Sequence, residues 1–208
     1  MNPEMSSSHA LDEELARAEM YGLLAQLFYQ PPSPELLAQL QVAVTEAPDA
    51  GGFLEEPWRE FVAAARTGDA TQISVEYNSL FGGVGKPEVY LFGSHYLTGF
   101  LNEKPLVQLR DDLAALGLAR NEQMSETEDH VAYLFEVMRF LIAGDDVAVS
   151  NLSRQFEFFG RHVQPWILQM CQSLQAHPRA RFYAGLAALT QAFMSVEAQG
   201  FDLLDGQV

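Results

Sequence analysis

The sequence has a single cysteine, Cys171, which excludes an internal disulfide and any zinc site built on clustered thiolates. Leu168, Met170 and Leu174 surround it, so it reads as a buried structural thiol, and no basic neighbour in sequence would favour a thiolate. Basic residues are scarce too. There are 12 against 28 acidic residues, with Lys86 and Lys104 the only lysines, for a formal charge of -16. Such a surface repels nucleic acid and anionic membranes, and it attracts basic ligands, a basic peptide among them. No apolar run approaches the roughly 20 residues that span a bilayer, so direct membrane insertion is not expected. Residues 1–9 are polar, with no basic stretch ahead of an apolar one, and read as a disordered lead rather than a secretory signal. A reducing, cytoplasmic compartment fits best.

Strand-like alternation is also missing, apart from a short ambiguous stretch at Val89 to Phe92. What dominates is apolar spacing at three- and four-residue steps, broken by Pro and Gly punctuation. Leu11, Leu15, Ala18, Tyr21, Leu24, Leu27 and Phe28 mark a first helix from Ala10 to Tyr29, which Pro31 and Pro32 end. Leu36, Leu37 and Leu40 mark a second, Trp58 to Ala65 a third, and Ile73 to Phe81 a fourth. Gly82 to Pro87 must be loop, and an aromatic-rich irregular stretch runs on to a turn at Gly93-Ser94. Leu106, Leu109, Leu113 and Leu116 restore the helical step. Ser125 and Glu128 then stand in the capping-box relation, predicting a helix that carries Asp129 and His130 in its first turn and runs to Gly144. Further helices follow around Phe156, around Trp166, and from Pro178 to Val196. The expected fold is all-α: one globular domain of about nine or ten helices over residues 10–199, possibly in two subparts with a hinge near 118–126, followed by a tail at 200–208.

Several chemistries lack their residues. None of His9, His95, His130, His162 or His177 follows a glutamate by three positions, and no two histidines are four apart, so a bundle-type metal centre is not expected. Gly82-Gly83-Val84-Gly85-Lys86 lacks the spacing and the Ser/Thr of a phosphate loop. No Gly-x-Ser-x-Gly elbow occurs. No cofactor is predicted. Glu126, Glu128, Asp129 and His130 form the densest polar constellation. One reading has Glu128 capping, Asp129 complementing the helix dipole and His130 filling a half-buried gap. The other has the carboxylates gripping a basic ligand while the histidine donates a hydrogen bond. Tyr77 and Phe81 sit at core spacing, whereas Tyr90, Phe92 and Tyr96 lie in loop and are harder to bury.

Taken in order, four stretches resemble the TorD/DmsD family of molybdoenzyme maturation chaperones, themselves related to the NarJ-type chaperones. They are Glu76 to Phe81, Phe92 to Tyr96, Glu126 to His130, and Phe159 to Trp166 with Phe182-Tyr183. Thr127 stands where proline is common in the family, and Gly82 to Pro87 is unusually rich in glycine. The resemblance implies an all-α, non-catalytic, cytoplasmic protein that binds the twin-arginine signal peptide or the apoprotein of a molybdoenzyme precursor until its cofactor is inserted. It also implies a client-binding region at Glu126, Glu128, Asp129 and His130, lined by Tyr77, Phe81, Ser94 and Tyr96, in a monomer or a domain-swapped dimer. Two rival readings stand beside it: a helical hydrolase or nucleotide-binding protein using Asp129 and His130 as acid and base, and a helical adaptor unrelated to export.

Overall fold

The apolar steps seen in the sequence become ten α-helices and one π-helical turn. A computed structural model describes residues 3–45, 52–82, 86–121 and 124–205. The helices are α1 (Pro3–Tyr29), α2 (Pro34–Gln41), α3 (Glu55–Thr67), α4 (Ala70–Phe81), α5 (Gly93–Thr98), α6 (Lys104–Ala115), α7 (Val131–Ala143), α8 (Leu152–Phe158), α9 (Gln164–Gln175) and α10 (Phe182–Asp205). The π-helical turn, Phe159–Val163, joins α8 to α9. Among the described residues the only β feature is an isolated antiparallel bridge between Phe92 and His130.

The chain divides into two compact units, each made of discontinuous segments. The first unit combines residues 1–29 with 92–163, and the second combines 30–91 with 164–208. The stretch 118–126, where the sequence suggested a hinge, therefore lies inside the first unit.

In the first unit α1 packs along α7. Tyr21, Leu24 and Phe28 of α1 are fully buried, as are Phe135, Met138 and Leu141 of α7. Phe135 meets Tyr21 edge-on at 5.6 Å between ring centroids. Each such side chain contributes about 2–3 kcal/mol on burial. The buried Gln155 of α8 ties this pair in, donating to the Leu141 carbonyl at 3.1 Å and accepting from Arg17 at 3.2 Å.

In the second unit α10 packs on α3 and α9, around Phe61, Trp166 and Leu186. Glu76 on α4 caps α10 from a distance: its Oε1 accepts the Arg181 and Tyr183 N–H groups at 2.8 and 2.9 Å, and Oε2 accepts that of Phe182 at 3.3 Å. The cap explains why α10 starts at Phe182 rather than near Pro178. Cys171 is completely buried, and burial pushes its thiol up to about 12.

Several sequence boundaries move. α1 begins at Pro3, not Ala10, so residues 3–9 of the expected disordered lead are helical. No Gly or second Pro interrupts them, and extending a helix costs far less than nucleating one. At the other end α10 continues through Asp205, so most of the expected tail is helix, anchored by the buried Phe201. Leu15, placed on the inner face by spacing, is 56% exposed. The turn at Gly93-Ser94 is the first turn of α5.

Candidate functional site

The helix carrying the Asp-His step starts later than the capping box implies. Its N-cap is His130, and its first helical residue is Val131. Ser125 and Glu128 do not form the box. Ser125 instead reaches Glu126 Oε1 at 3.4 Å, and Glu128 is drawn away by Arg110. Arg110 donates through Nε and Nη2 to the two oxygens of Glu128 at 3.0 and 2.9 Å, a two-point ion pair that outweighs any local cap. Burial opposes charge on Glu128, but the Arg110 hydrogen bonds win and hold its carboxyl below the usual range.

Asp129 is buried, 4% exposed, and acts on a different helix from the one it precedes. Its Oδ2 accepts the Ser94 N–H at 2.9 Å, and its backbone carbonyl accepts the Gly93 N–H at 3.0 Å. Those are the first two amides of α5, whose own N-cap residue, Phe92, offers no side-chain acceptor. Asp129 thus supplies from 35 residues away the cap that α5 lacks locally. Oδ1 accepts the Thr127 hydroxyl at 2.6 Å. Both carboxylate oxygens are committed.

His130 is equally buried. Its Nδ1 accepts the Ala132 N–H at 3.2 Å, which leaves the ring proton on Nε2. Phe92, Tyr133 and Tyr29 surround the imidazole at centroid distances of 5.1, 5.7 and 6.4 Å. Burial lowers its pKa to about 4, against a partial pull upward from Asp129. A neutral ring whose Nδ1 is engaged by backbone is poorly placed as a general base.

The expected site residues therefore separate by role. Glu128, Asp129, His130 and Ser94 face inward and build the joint between α5, α6 and α7; Ser94 is 1% exposed and its hydroxyl has no hydrogen-bond partner. Glu126 and Tyr96 remain partly exposed at its edge. Tyr77 and Phe81 belong to the second unit, where they form an aromatic cluster with Tyr183 at 5.1–5.6 Å between centroids. Among the described residues no three His, Cys, Asp or Glu side chains are grouped to hold a metal, and no helix is long and apolar enough to cross a membrane.

Next to the joint, within the first unit, an open groove of about 340 Å³ runs between α1 and α7. Gly22, Ala25, Gln26 and Tyr29 line one wall, and Ala132, Tyr133 and Glu136 the other. Sequence reasoning overlooked these residues. The available signal was small side chains, Gly22 and Ala25 on α1 and Ala132 on α7, where two helices approach and large residues would fill the gap. Burial pushes the Tyr133 hydroxyl up to about 12, with Tyr29 and Glu126 adding to the effect. Its oxygen is buried, and Tyr29 lies beside it without closing a hydrogen bond.

With that geometry in hand, comparison with known proteins is informative. The profile of a family described as nitrate reductase delta subunit matches residues 48–172. The chain is 24% identical to the chaperone protein TorD of Vibrio cholerae over 204 residues, covering 90% of this chain and 93% of that protein. It is 24% identical to TorD of Aliivibrio fischeri over 212 residues, covering 94% and 98%. A solved structure of a redox enzyme maturation protein from Archaeoglobus fulgidus superposes with a TM-score of 0.57 at 18% identity, covering 86% of this chain and 93% of that one. At that identity the superposition establishes a shared all-helical fold.

Proposed function

The chain belongs to the nitrate reductase delta subunit family, and from that premise we propose that it is a cytoplasmic, non-catalytic chaperone for a molybdoenzyme catalytic subunit. It binds the signal peptide or the apoprotein of the precursor and holds it until the cofactor is inserted, before export or assembly. The observation that carries this reading is near-full-length similarity to chaperones named TorD. The site geometry is consistent with it. An open groove bordered by acidic and aromatic side chains suits an extended or helical segment of another polypeptide, whereas an acid-base enzyme calls for an enclosed pocket around free functional groups. In this reading the client meets Glu126, Tyr96 and the groove walls, while Glu128, Asp129, His130 and Ser94 act behind that surface as its frame. Reversible release fits a micromolar dissociation constant, about -8 kcal/mol.

Co-purification tests the proposal. The tagged full chain is expressed with candidate molybdoenzyme precursors, with and without their signal peptides. Retention of a precursor in its cofactor-free form, and its release on cofactor loading, is the expected result. Failure to retain any precursor in either form would sink it.

A further inference from the structure

The α1–α7 groove already holds a guanidinium of the chain itself. Arg139, one turn beyond Glu136 on α7, donates through Nε and Nη2 to the Glu136 carboxylate, each at 2.8 Å. Both bonds fall on Oε2. The arginine stem crosses α1 at Gly22, where a Cβ would stand 3.0 Å from Arg139 Cδ. A side chain at that position would have to displace the arginine, so the glycine leaves room for it. Both partners of the pair are about half exposed, 49% for Arg139 and 46% for Glu136. An ion pair that exposed contributes little and is easily exchanged.

From this arrangement we propose that the groove is the seat for an arginine side chain of the client polypeptide, and that Arg139 is its placeholder. In the free chain Arg139 occupies Glu136; on binding it swings to solvent and a client guanidinium takes the carboxylate. The inference rests on the chaperone reading above and specifies its recognition chemistry. Three observations favour arginine as the occupant. The chain carries a net charge of -16, so a cationic segment is drawn to it. Glu136 already accepts two hydrogen bonds from one guanidinium, a planar donor pattern that lysine cannot copy. Tyr29 and Tyr133, whose rings lie 5.7 Å apart, supply aromatic surface for a planar cation and for an apolar stem. The unpartnered Tyr133 hydroxyl adds a polar atom at the floor of the same groove.

The test uses the full chain and a fluorescein-labelled synthetic peptide with two adjacent arginines followed by about twelve apolar residues, alongside versions with two lysines or two glutamines. Anisotropy titration gives the affinities. Wild type is expected to prefer the arginine peptide over the lysine peptide several-fold, and the preference should weaken as salt rises. Arg139→Gln should tighten arginine-peptide binding about threefold, the size of one exposed ion pair released. Glu136→Gln should weaken it about tenfold and erase the arginine-over-lysine preference. In the Glu136→Gln background, Arg139→Gln should have no further effect, because the two side chains compete through one carboxylate. Both sites are exposed on α7, so melting curves should not move by more than a degree or two. Unchanged or weaker binding by Arg139→Gln overturns the placeholder. Equal binding by Glu136→Gln and wild type overturns the groove as the seat. If wild type binds none of the peptides but still retains a precursor on co-purification, this inference fails and the chaperone reading stands; if it retains no precursor either, both fail.

Discussion

Protonation of His130 should weaken the fold across a defined pH window, and the structure sets its size. The imidazole is buried among Tyr29, Phe92 and Tyr133 and uses Nδ1 to accept the Ala132 N–H. Adding a proton to Nδ1 would set a donor against that amide and place a positive charge at the positive end of α7. The folded-state pKa of about 4 lies below the ordinary value of 6.5. The unfolded chain therefore binds more protons between pH 6.5 and 4, and stability falls as pH falls through that window. Moving from pH 7.5 to pH 5 should cost about 2 kcal/mol from this residue, or roughly 4–8 °C in Tm for a chain of this size. Burial also lowers His95 and His162, the latter against an opposing pull from Asp112. The wild-type slope thus contains more than one histidine. The decisive comparison is His130→Asn, whose side-chain oxygen can still cap Ala132 but does not titrate. Its melting temperature at pH 7.5 should be lower, because ring packing is lost. Its loss between pH 7.5 and 5 should be smaller than that of wild type by about 2 kcal/mol. Asp112, Glu128 and Glu35 are held below their usual range and titrate in a more acidic window, so they do not blur the result. Equal pH losses for variant and wild type, followed by circular dichroism melts, would refute the reasoning.

Two further predictions concern the same joint and the end of α7. Asp129→Ala should lower stability by about 3 kcal/mol, since it strips the Ser94 amide and the Thr127 hydroxyl of a buried charged acceptor; the neighbouring Ser94→Ala, which removes a buried hydroxyl that has no partner, should leave Tm unchanged or raise it. If thermal melts show Asp129→Ala as stable as wild type, the carboxylate is not the cap of α5. Gly144→Ala should cost about 2 kcal/mol, because a Cβ there would collide with Ser150 Oγ and lie 2.7 Å from the Phe140 carbonyl. Urea denaturation reads that loss directly, and an unchanged midpoint would contradict the packing described.

The helical class, most helix positions and the Asp-His step could be read from the sequence because they rest on local information. Apolar residues three and four apart share a face, and Pro31, Pro32 and Gly144 stop helices wherever they stand. The burial of Cys171 was legible for the same reason. What the residues around Asp129 do was not. Its partner amides lie 35 positions earlier, and Glu128 leaves the local capping pattern for Arg110, 18 positions away. Glu76 likewise caps a helix that begins more than a hundred residues later. A buried charge must be satisfied by whatever donors the fold brings to it, and local spacing carries no record of which those are. The groove between α1 and α7 is tertiary in the same sense. Gly22, Ala25, Ala132 and Glu136 are ordinary helical residues until two helices that are distant in sequence lie side by side and leave a gap between them.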